Sequence, residues 1–285
     1  MLPTALERSK QAKVLPDDLT SGFKRLGLRD GHSIEMHASL EALGVVEGGA
    51  AMVLHRLLGV IGKSGTLLMP AFTSITRHGT THNNFTRPGC WCEGKEDRHL
   101  PFIPELQPDK NIGAIAHRLC SWPGSRRSKH PAYSFVAVGR HSDELVSGYE
   151  TADPLLPIKK LMKYNPLVLT IGVGFEMVSA IHLAEEKKLR SKFVKERALV
   201  VTSKGMSWVD IVALGCSGGF HKMKEHLDGI EIKESEIGLA PVRLHPMKKL
   251  VERARSLIEH DEKALACNNL ACLSCGLIRG RPTGI

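Results

Sequence analysis

The chain has 285 residues, of which 42% are hydrophobic and 24% charged, enough for one large domain with a buried core. Its formal net charge is +9, but aromatic residues make up only 5% and the Lys and Arg residues are scattered, which does not favour a nucleic-acid binder. No apolar run approaches the roughly 20 residues that span a bilayer. The N-terminal segment MLPTALERSKQAK lacks the apolar centre of a signal peptide, so we expect a cytoplasmic protein without a membrane partner.

Apolar spacing predicts alternating helices and strands in the first half of the chain. The predicted elements are a helix over 4–26 with a break or second start at Pro16, a strand over 33–37, a helix over 48–61 and a strand over 67–69. Strand, helix and strand in this order predict a βαβ unit. Residues 73–111 resemble one long loop, and long loops in compact domains are often functional.

The second half continues the same alternation. The predicted elements are a helix that ends at the Trp-Pro-Gly break 122–124, strands over 134–138 and 167–173, a helix over 178–189, a hairpin with strands over 198–202 and 207–212, and a helix over 246–260. Together they predict an α/β domain with a mixed central sheet and helices on both faces, an α/β/α sandwich. We expect this domain to span residues 1–265, with a Cys-rich tail over 266–285 packed on it.

Three of the seven cysteines crowd into the tail as Cys267-x4-Cys272-x2-Cys275. An odd number of cysteines without a signal peptide argues against a disulfide framework, whereas this spacing is typical of thiolate ligands for zinc. A structural zinc needs four ligands, and we predict Cys216 in the Gly-Cys-Ser-Gly-Gly turn as the fourth. The alternative fourth ligands are Cys90, Cys92 or a histidine. The alternative to a metal is a mobile tail with reduced thiols.

His182 and Glu185 lie three residues apart in a predicted helix, and therefore on one face of it. This helix follows the predicted central strand, so its beginning faces the crevice at the carboxyl ends of the strands, where ligands collect. An imidazole in that crevice can take a proton from an attacking amine, and a nearby carboxylate can orient it. The alternative is an ordinary amphipathic helix with a surface glutamate.

Four blocks of the chain carry a family resemblance. They are MHASLEALG (36–44), GTLLMPAFT (65–73), RRSKHP (126–131) and LVLTIGVG followed by IHLAEE (167–174 and 181–186). This order, with R-S-x-H-P in the loop, resembles the aminoglycoside 3-N-acetyltransferase family over roughly residues 20 to 200. No dinucleotide-binding or P-loop signature competes with it. The Cys-rich tail departs from the family pattern and marks a divergent branch.

The resemblance implies transfer of an acetyl group from acetyl-coenzyme A to a primary amine by direct attack, with His182 as general base and Glu185 orienting it. His37, at the end of the first predicted strand, is a further catalytic candidate, the alternative being a histidine that caps the sheet. The block that contains Ser39 and Leu40 lines the coenzyme A site in the family. Backbone amides near Ser39 are therefore expected to stabilise the oxyanion.

The basic loop and its neighbours are expected to contact the cofactor. Arg127 offers a guanidinium that suits phosphate oxygens, Ser128 offers a hydroxyl, and Thr73 is a further candidate for lining the same cleft. The alternative is a solvated basic loop. The expected partners are acetyl-coenzyme A and a small-molecule amine, with one structural zinc, and both a monomer and a homodimer stay open.

The expected acceptor is an amine on a neutral or anionic metabolite, as in natural-product biosynthesis. A polycationic aminoglycoside should need a site lined with carboxylates, whereas the chain is basic and the stretch RHGTTHNNFTRPGCWCEGKEDRH has three acidic residues. The alternative function is a non-catalytic descendant of the fold that binds coenzyme A or a partner protein.

Overall fold

The computed structural model describes residues 13–78, 99–148, 153–186, 188–189 and 195–280. The strands within these ranges are β1 (Lys13–Val14), β2 (Ser33–Ala38), β3 (Val45–Val46), β4 (Thr66–Pro70), β5 (Arg77–His78), β6 (Arg126–Arg127), β7 (Phe135–Gly139), β8 (Leu167–Ile171), β9 (Lys195–Thr202), β10 (Gly205–Val212), β11 (Lys233–Ile237) and β12 (Ala240–Pro246). The helices are α1 (Pro16–Arg25), α2 (Gly49–Ile61), α3 (Ala114–Cys120), α4 (Ser142–Val146), α5 (Leu156–Leu161), α6 (Met247–His260) and α7 (Leu273–Ile278).

Seven strands form a mixed central sheet in the order β11-β12-β8-β2-β4-β7-β6. The central strand β2 runs parallel to β8 and β4, with Ile34 opposite Leu167 on one side and Leu67 on the other. The outer pairs are antiparallel. Because α2 lies in the connection between β2 and β4 and these two strands are parallel, the predicted βαβ unit is confirmed. A separate antiparallel sheet has the order β10-β9-β5 and contains the predicted hairpin.

Helices cover both faces of the central sheet. On one face α1, α2 and α3 bury side chains such as Phe23, Leu57 and Leu119 against the sheet. On the other face α4, α5 and α6 bury residues such as Leu145 and Leu250. Each such side chain stabilises the fold by about 1.5–3 kcal/mol when fully buried. The helix layers on the two faces of the sheet confirm the predicted α/β/α sandwich. Among the described helices, none combines the length and the apolar character that crossing a bilayer requires.

The helix predicted over 178–189 is wrong in type. After β8 the chain turns at Gly172, whose φ is +64° and where a Cβ would collide with that of Ala42. Two 3₁₀ helices follow, Phe175–Met177 and Ser179–Ala184. Every residue of the second is buried, so it lacks the polar face that an amphipathic α-helix presents to water.

The described part of the C-terminal tail packs against the rest of the chain. Leu265 and Ile278 join the core on the α6 face of the sheet. Ala266, Cys267 and Cys275 form a small cluster of their own, with Cys216 and Cys272 packed against it. The start of the helix predicted over 4–26, residues 4–12, lies outside the described residues, as do Cys90 and Cys92.

Candidate functional site

A cavity of about 1050 Å³ opens where the parallel strands end. Its lining includes His37 and Ala38 at the end of β2, Met69 and Pro70 at the end of β4, and Val173 just beyond β8. The other walls come from residues 109–114, 132–133 and 213–217, from Glu196 on β9 and from the turn that carries His182. Ligands of open α/β sheets bind at this edge, because the turns after parallel strands leave a crevice there.

The structure brings His182 and Glu185 together at the cavity. His182 lines the cavity, and its Nδ1 lies 2.6 Å from Oε2 of Glu185. Both side chains are buried, at 6% and 3% exposure. Because a carboxylate only accepts hydrogen bonds, Nδ1 carries the proton and Nε2 is the basic nitrogen. The ring of Phe220 packs edge-on against the imidazole, with centroids 4.7 Å apart, and restricts its rotation.

His37 has a buried carboxylate beside it that the sequence prediction missed. Nε2 of His37 lies 3.1 Å from Oε1 of Glu35 and 3.3 Å from the backbone nitrogen of Ser179. Glu35 is fully buried on β2, at 0% exposure. A glutamate between Ile34 and Met36 was the available signal, since a charged residue in a buried strand needs a partner. The contact with Ser179 places this pair one turn from His182.

Ser39 and Leu40 also line the cavity, at the turn after β2. The Ser39 hydroxyl accepts a hydrogen bond from the backbone N–H of Ala42 (3.2 Å) and so shapes this turn. The Ser39 N–H itself donates to the carbonyl of Ile171 at 2.9 Å. The amide of Ser39 itself is therefore committed to the protein, and the prediction that backbone amides near Ser39 stabilise an oxyanion rests on its neighbours.

Arg127 holds protein segments together instead of facing the cavity. Its guanidinium donates to the hydroxyls of Ser134 (3.0 Å) and Thr73 (2.8 Å) and to the carbonyls of Ala71 (2.7 Å) and Pro104 (3.2 Å). Burial lowers the pKa of Arg127 from its ordinary value. These bonds join the end of β4, the start of β7 and the segment near residue 104.

The neighbouring loop residues are likewise engaged in local structure. Ser128 Oγ accepts from the backbone N–H of Phe135 at 2.9 Å, and Nδ1 of His130 accepts from that of Tyr133 at 3.0 Å. Thr73 is fully buried. Among the described residues that line the cavity, Thr73, Arg127 and Ser128 do not occur. The cofactor contacts expected of these three stay a prediction; in the structure the polar groups of R-S-x-H-P satisfy the backbone of a tight loop.

The charge of the cavity differs from that of the whole chain. Four carboxylates line it, those of Glu41, Asp109, Glu176 and Glu196. Among the described lining residues, Lys110 supplies the one Lys or Arg cation. The cavity is thus acidic although the chain carries +9 overall. The electrostatic argument against a polycationic acceptor fails here, because net charge says nothing about which side chains face a site.

Two of these carboxylates have defined partners. Glu196, 4% exposed, accepts a hydrogen bond at 3.0 Å from the hydroxyl of Tyr133, which also lines the cavity. Asp109 accepts bonds of 3.0 Å from the backbone and the hydroxyl of Ser74. The sequence prediction missed all four residues, since they come from separate strands and loops. Asp109 falls in the predicted loop 73–111, and residues 79–98 of that loop lie outside the described ranges.

The four cysteines predicted as metal ligands come together at one end of the cavity. The Sγ atoms of Cys216, Cys267, Cys272 and Cys275 all lie within 4.8 Å of one another. The contact between two of these thiols lowers the pKa of Cys272, because the thiol of Cys216 donates to it, and raises that of Cys216.

Comparisons of the sequence with known proteins agree on one family. A family model described as aminoglycoside 3-N-acetyltransferase matches residues 36–259. The SPbeta prophage-derived aminoglycoside N(3')-acetyltransferase-like protein YokD of Bacillus subtilis is 27% identical over 267 residues, which cover 91% of this chain and 96% of that protein. An aminoglycoside N(3)-acetyltransferase III from Salmonella is 31% identical over 172 residues, covering 59% of this chain and 58% of that protein.

Solved structures share the fold over nearly the whole chain. The crystal structure of YokD has a TM-score of 0.80 and 25% identity, and the match covers 89% of this chain and 96% of that one. The acetyltransferase AAC(3)-IVa, solved in complex with a gentamicin, has a TM-score of 0.80 and 21% identity, covering 95% and 99% of the two chains. AAC-IIIb, solved with CoASH, has a TM-score of 0.72 and 20% identity, covering 87% and 97%.

Proposed function

Because this chain belongs to the aminoglycoside 3-N-acetyltransferase family, we propose that it transfers an acetyl group from acetyl-coenzyme A to a primary amine of an aminoglycoside. The proposal assigns His182 as the general base. The observation that carries it is the His182–Glu185 pair, buried and hydrogen-bonded in a cavity with four carboxylates.

The reaction is a direct displacement on the thioester. The amine nitrogen attacks the thioester carbonyl carbon, a C–N bond forms, and the C–S bond breaks to release the coenzyme A thiol. The nitrogen loses one proton as it becomes an amide, and Nε2 of His182 accepts it. The departing sulfur takes up one proton, so the products are an acetamide and a neutral thiol.

Glu185 orients the imidazole in this scheme and faces the charge that develops on it. The 2.6 Å contact with Nδ1 holds the ring in one tautomer and orients Nε2 towards the cavity. When Nε2 takes the proton of the amine, the ring becomes an imidazolium next to a buried carboxylate, and the charge pair stabilises that state. His37 is proposed to support this site from the side of β2, through Glu35 and the backbone of Ser179.

The acidic lining supports a polycationic acceptor. An exposed carboxylate–ammonium pair contributes about 0.2–1 kcal/mol, and a pair in a partly buried cavity contributes more because water screens it less. Several amines on one acceptor can each find a partner among Glu41, Asp109, Glu176 and Glu196. A metabolite with a single amine would gain at most one of these pairs, and any anionic group on it would be repelled by the carboxylates.

The cosubstrate is proposed to enter beside β2. Ser39 and Leu40 line the cavity there and belong to the block that the family resemblance assigns to coenzyme A. The cysteine cluster takes no part in this chemistry, because a zinc ion held by four thiolates has no open position for a substrate.

The test is turnover of gentamicin with acetyl-coenzyme A, followed by release of free thiol and by the mass of the acetylated product. Glu176→Gln, which removes one lining carboxylate, should raise the KM for gentamicin several-fold and leave the KM for acetyl-coenzyme A unchanged. Glu225→Gln, on an exposed residue outside the cavity, is the matched control and should change neither. Binding of coenzyme A without turnover of gentamicin or of neutral amines would instead favour the non-catalytic descendant.

A further inference from the structure

We propose that Cys216, Cys267, Cys272 and Cys275 bind one zinc ion that fastens the C-terminal tail to the wall of the catalytic cavity. Three of these ligands lie within nine residues of one another, and the fourth comes from a turn about fifty residues earlier in the chain. The ion would therefore join two segments that are remote in sequence. The zinc ion would take part in no step of acetyl transfer, so its presence can be tested independently of the proposed activity.

The spacing of the sulfur atoms fits a tetrahedral zinc site. With Zn–S bonds of about 2.3 Å, the sulfurs of a tetrahedron lie about 3.8 Å apart. The four Sγ atoms here all lie within 4.8 Å of one another. Each pair therefore needs to close by no more than about 1 Å, which side-chain rotation supplies without movement of the backbone.

Backbone amides are already directed at two of the sulfurs. The N–H of Gly218 donates to Sγ of Cys216, and the N–H of Cys267 donates to Sγ of Cys275, each at 3.3 Å. Such bonds stabilise thiolates and orient them, as second-shell partners do in metal sites generally. One of these bonds lies in each of the two segments that the metal would join.

Positive charge surrounds the cluster. One Zn²⁺ with four thiolates carries a net charge of −2, and such a charge needs compensation when it is partly buried. Nζ of Lys222 donates to the carbonyl of Ala266 at 2.7 Å. The guanidinium of Arg279 donates to the carbonyls of Cys267 and Asn269. Both cations thus bind backbone carbonyls of the segment that contains Cys267.

The metal would also set the position of the cavity wall. Cys216 and Ser274 line the cavity. The 3₁₀ helix Ser217–His226 begins directly after Cys216 and carries Phe220, which is fully buried and packs against His182. Gly219 permits the close approach, since a Cβ there would collide with the carbonyl oxygen of Leu265. The zinc site thus adjoins the 3₁₀ helix that carries Phe220, the side chain packed against the proposed base His182.

The experiment measures metal in the full-length protein purified without an affinity tag under reducing conditions. We expect about one zinc per chain, lost in Cys216→Ser and in Cys272→Ser. Cys120→Ser is the matched control, because Cys120 is a free thiol on α3 outside the cluster, and it should retain the metal. Loss of zinc should lower the melting temperature, because metal binding contributes to the stability of the segments it joins.

Cobalt substitution keeps the test decisive if a Cys→Ser variant fails to fold. Wild-type protein loaded with Co²⁺ should show the strong sulfur-to-metal charge-transfer bands and the intense visible bands of a tetrahedral thiolate site. Three results would overturn the proposal: wild-type protein with no bound zinc and no cobalt spectrum, a pair of disulfides among the four cysteines, or zinc that persists in Cys216→Ser and disappears in Cys90→Ser or Cys92→Ser.

Discussion

Replacing Glu185 by glutamine isolates the contribution of the carboxylate to the chemistry at His182. The variant keeps the size of the side chain and an oxygen that can accept from Nδ1, but it removes the negative charge. The wild-type contact is short, at 2.6 Å, and Glu185 is only 3% exposed. The substitution therefore deletes a charge from a place that water hardly reaches.

The size of the effect follows from the charge pair that forms when His182 takes the proton of the amine. With the two charge centres about 4 Å apart and an effective dielectric constant of about 20, the pair is worth about 4 kcal/mol. Each 1.36 kcal/mol changes a rate about tenfold, so complete loss of the pair would slow the reaction about 10³-fold. The glutamine oxygen keeps part of the hydrogen bond, and we expect kcat to fall about 10²- to 10³-fold.

The assay is steady-state thiol release from acetyl-coenzyme A with saturating gentamicin, for wild type, Glu185→Gln, His182→Ala and the double variant. His182→Ala should lose about 10²- to 10⁴-fold, the usual contribution of a general base. Because Glu185 acts through His182, the double variant should be no slower than His182→Ala alone. Binding of coenzyme A, measured by calorimetry, should be preserved in all four proteins.

A matched control lies one residue further along the chain. Glu186 pairs with Lys159 at 2.6 Å and is more exposed than Glu185. Glu186→Gln should therefore leave kcat within about twofold of wild type, as expected of a partly exposed ion pair. Losses that multiply in the double variant, or equal losses in Glu185→Gln and Glu186→Gln, would refute the role given to the dyad.

Two further predictions concern stability. Arg127→Ala should lower the free energy of unfolding by about 3–5 kcal/mol, because it strips several buried acceptors of their donor. Urea unfolding measures this, and an unchanged KM for acetyl-coenzyme A in the folded protein separates a structural role from a cofactor contact. For His245, burial lowers the pKa to about 4, so between pH 6.5 and 4 the unfolded chain binds a proton that the folded protein does not. The free energy of unfolding should fall by about 3 kcal/mol as the pH drops through that window. His245→Leu should abolish this part of the pH dependence. An equal slope of unfolding free energy against pH in wild type and variant would contradict the prediction.

The sequence by itself determined most of the sheet and the main helices. The apolar run Leu167–Ile171 is marked plainly by its hydrophobicity, whereas the equally buried strand Ser33–Ala38 carries Ser33, Glu35 and His37 between its apolar residues. The long helices α2 and α6 show the 3.6-residue period because one face of each helix packs on the core. The family blocks, His182 with Glu185 and the three tail cysteines were also readable, because residues with distinctive chemistry lie close together in the sequence there. Cys216 lies about fifty residues earlier and was one of several candidates for the fourth ligand.

Only the tertiary structure decided which side chains face the cavity. Arg127 stands in the most distinctive motif of the chain, yet it turns inward to bind carbonyls of segments that sequence spacing does not relate to it. Glu35 becomes the partner of His37 because both point to the same face of β2, and Glu196 arrives from a separate sheet. The cavity is acidic in a basic chain for the same physical reason. Charge at a site depends on the few side chains that the fold directs into it, and long-range packing makes that selection.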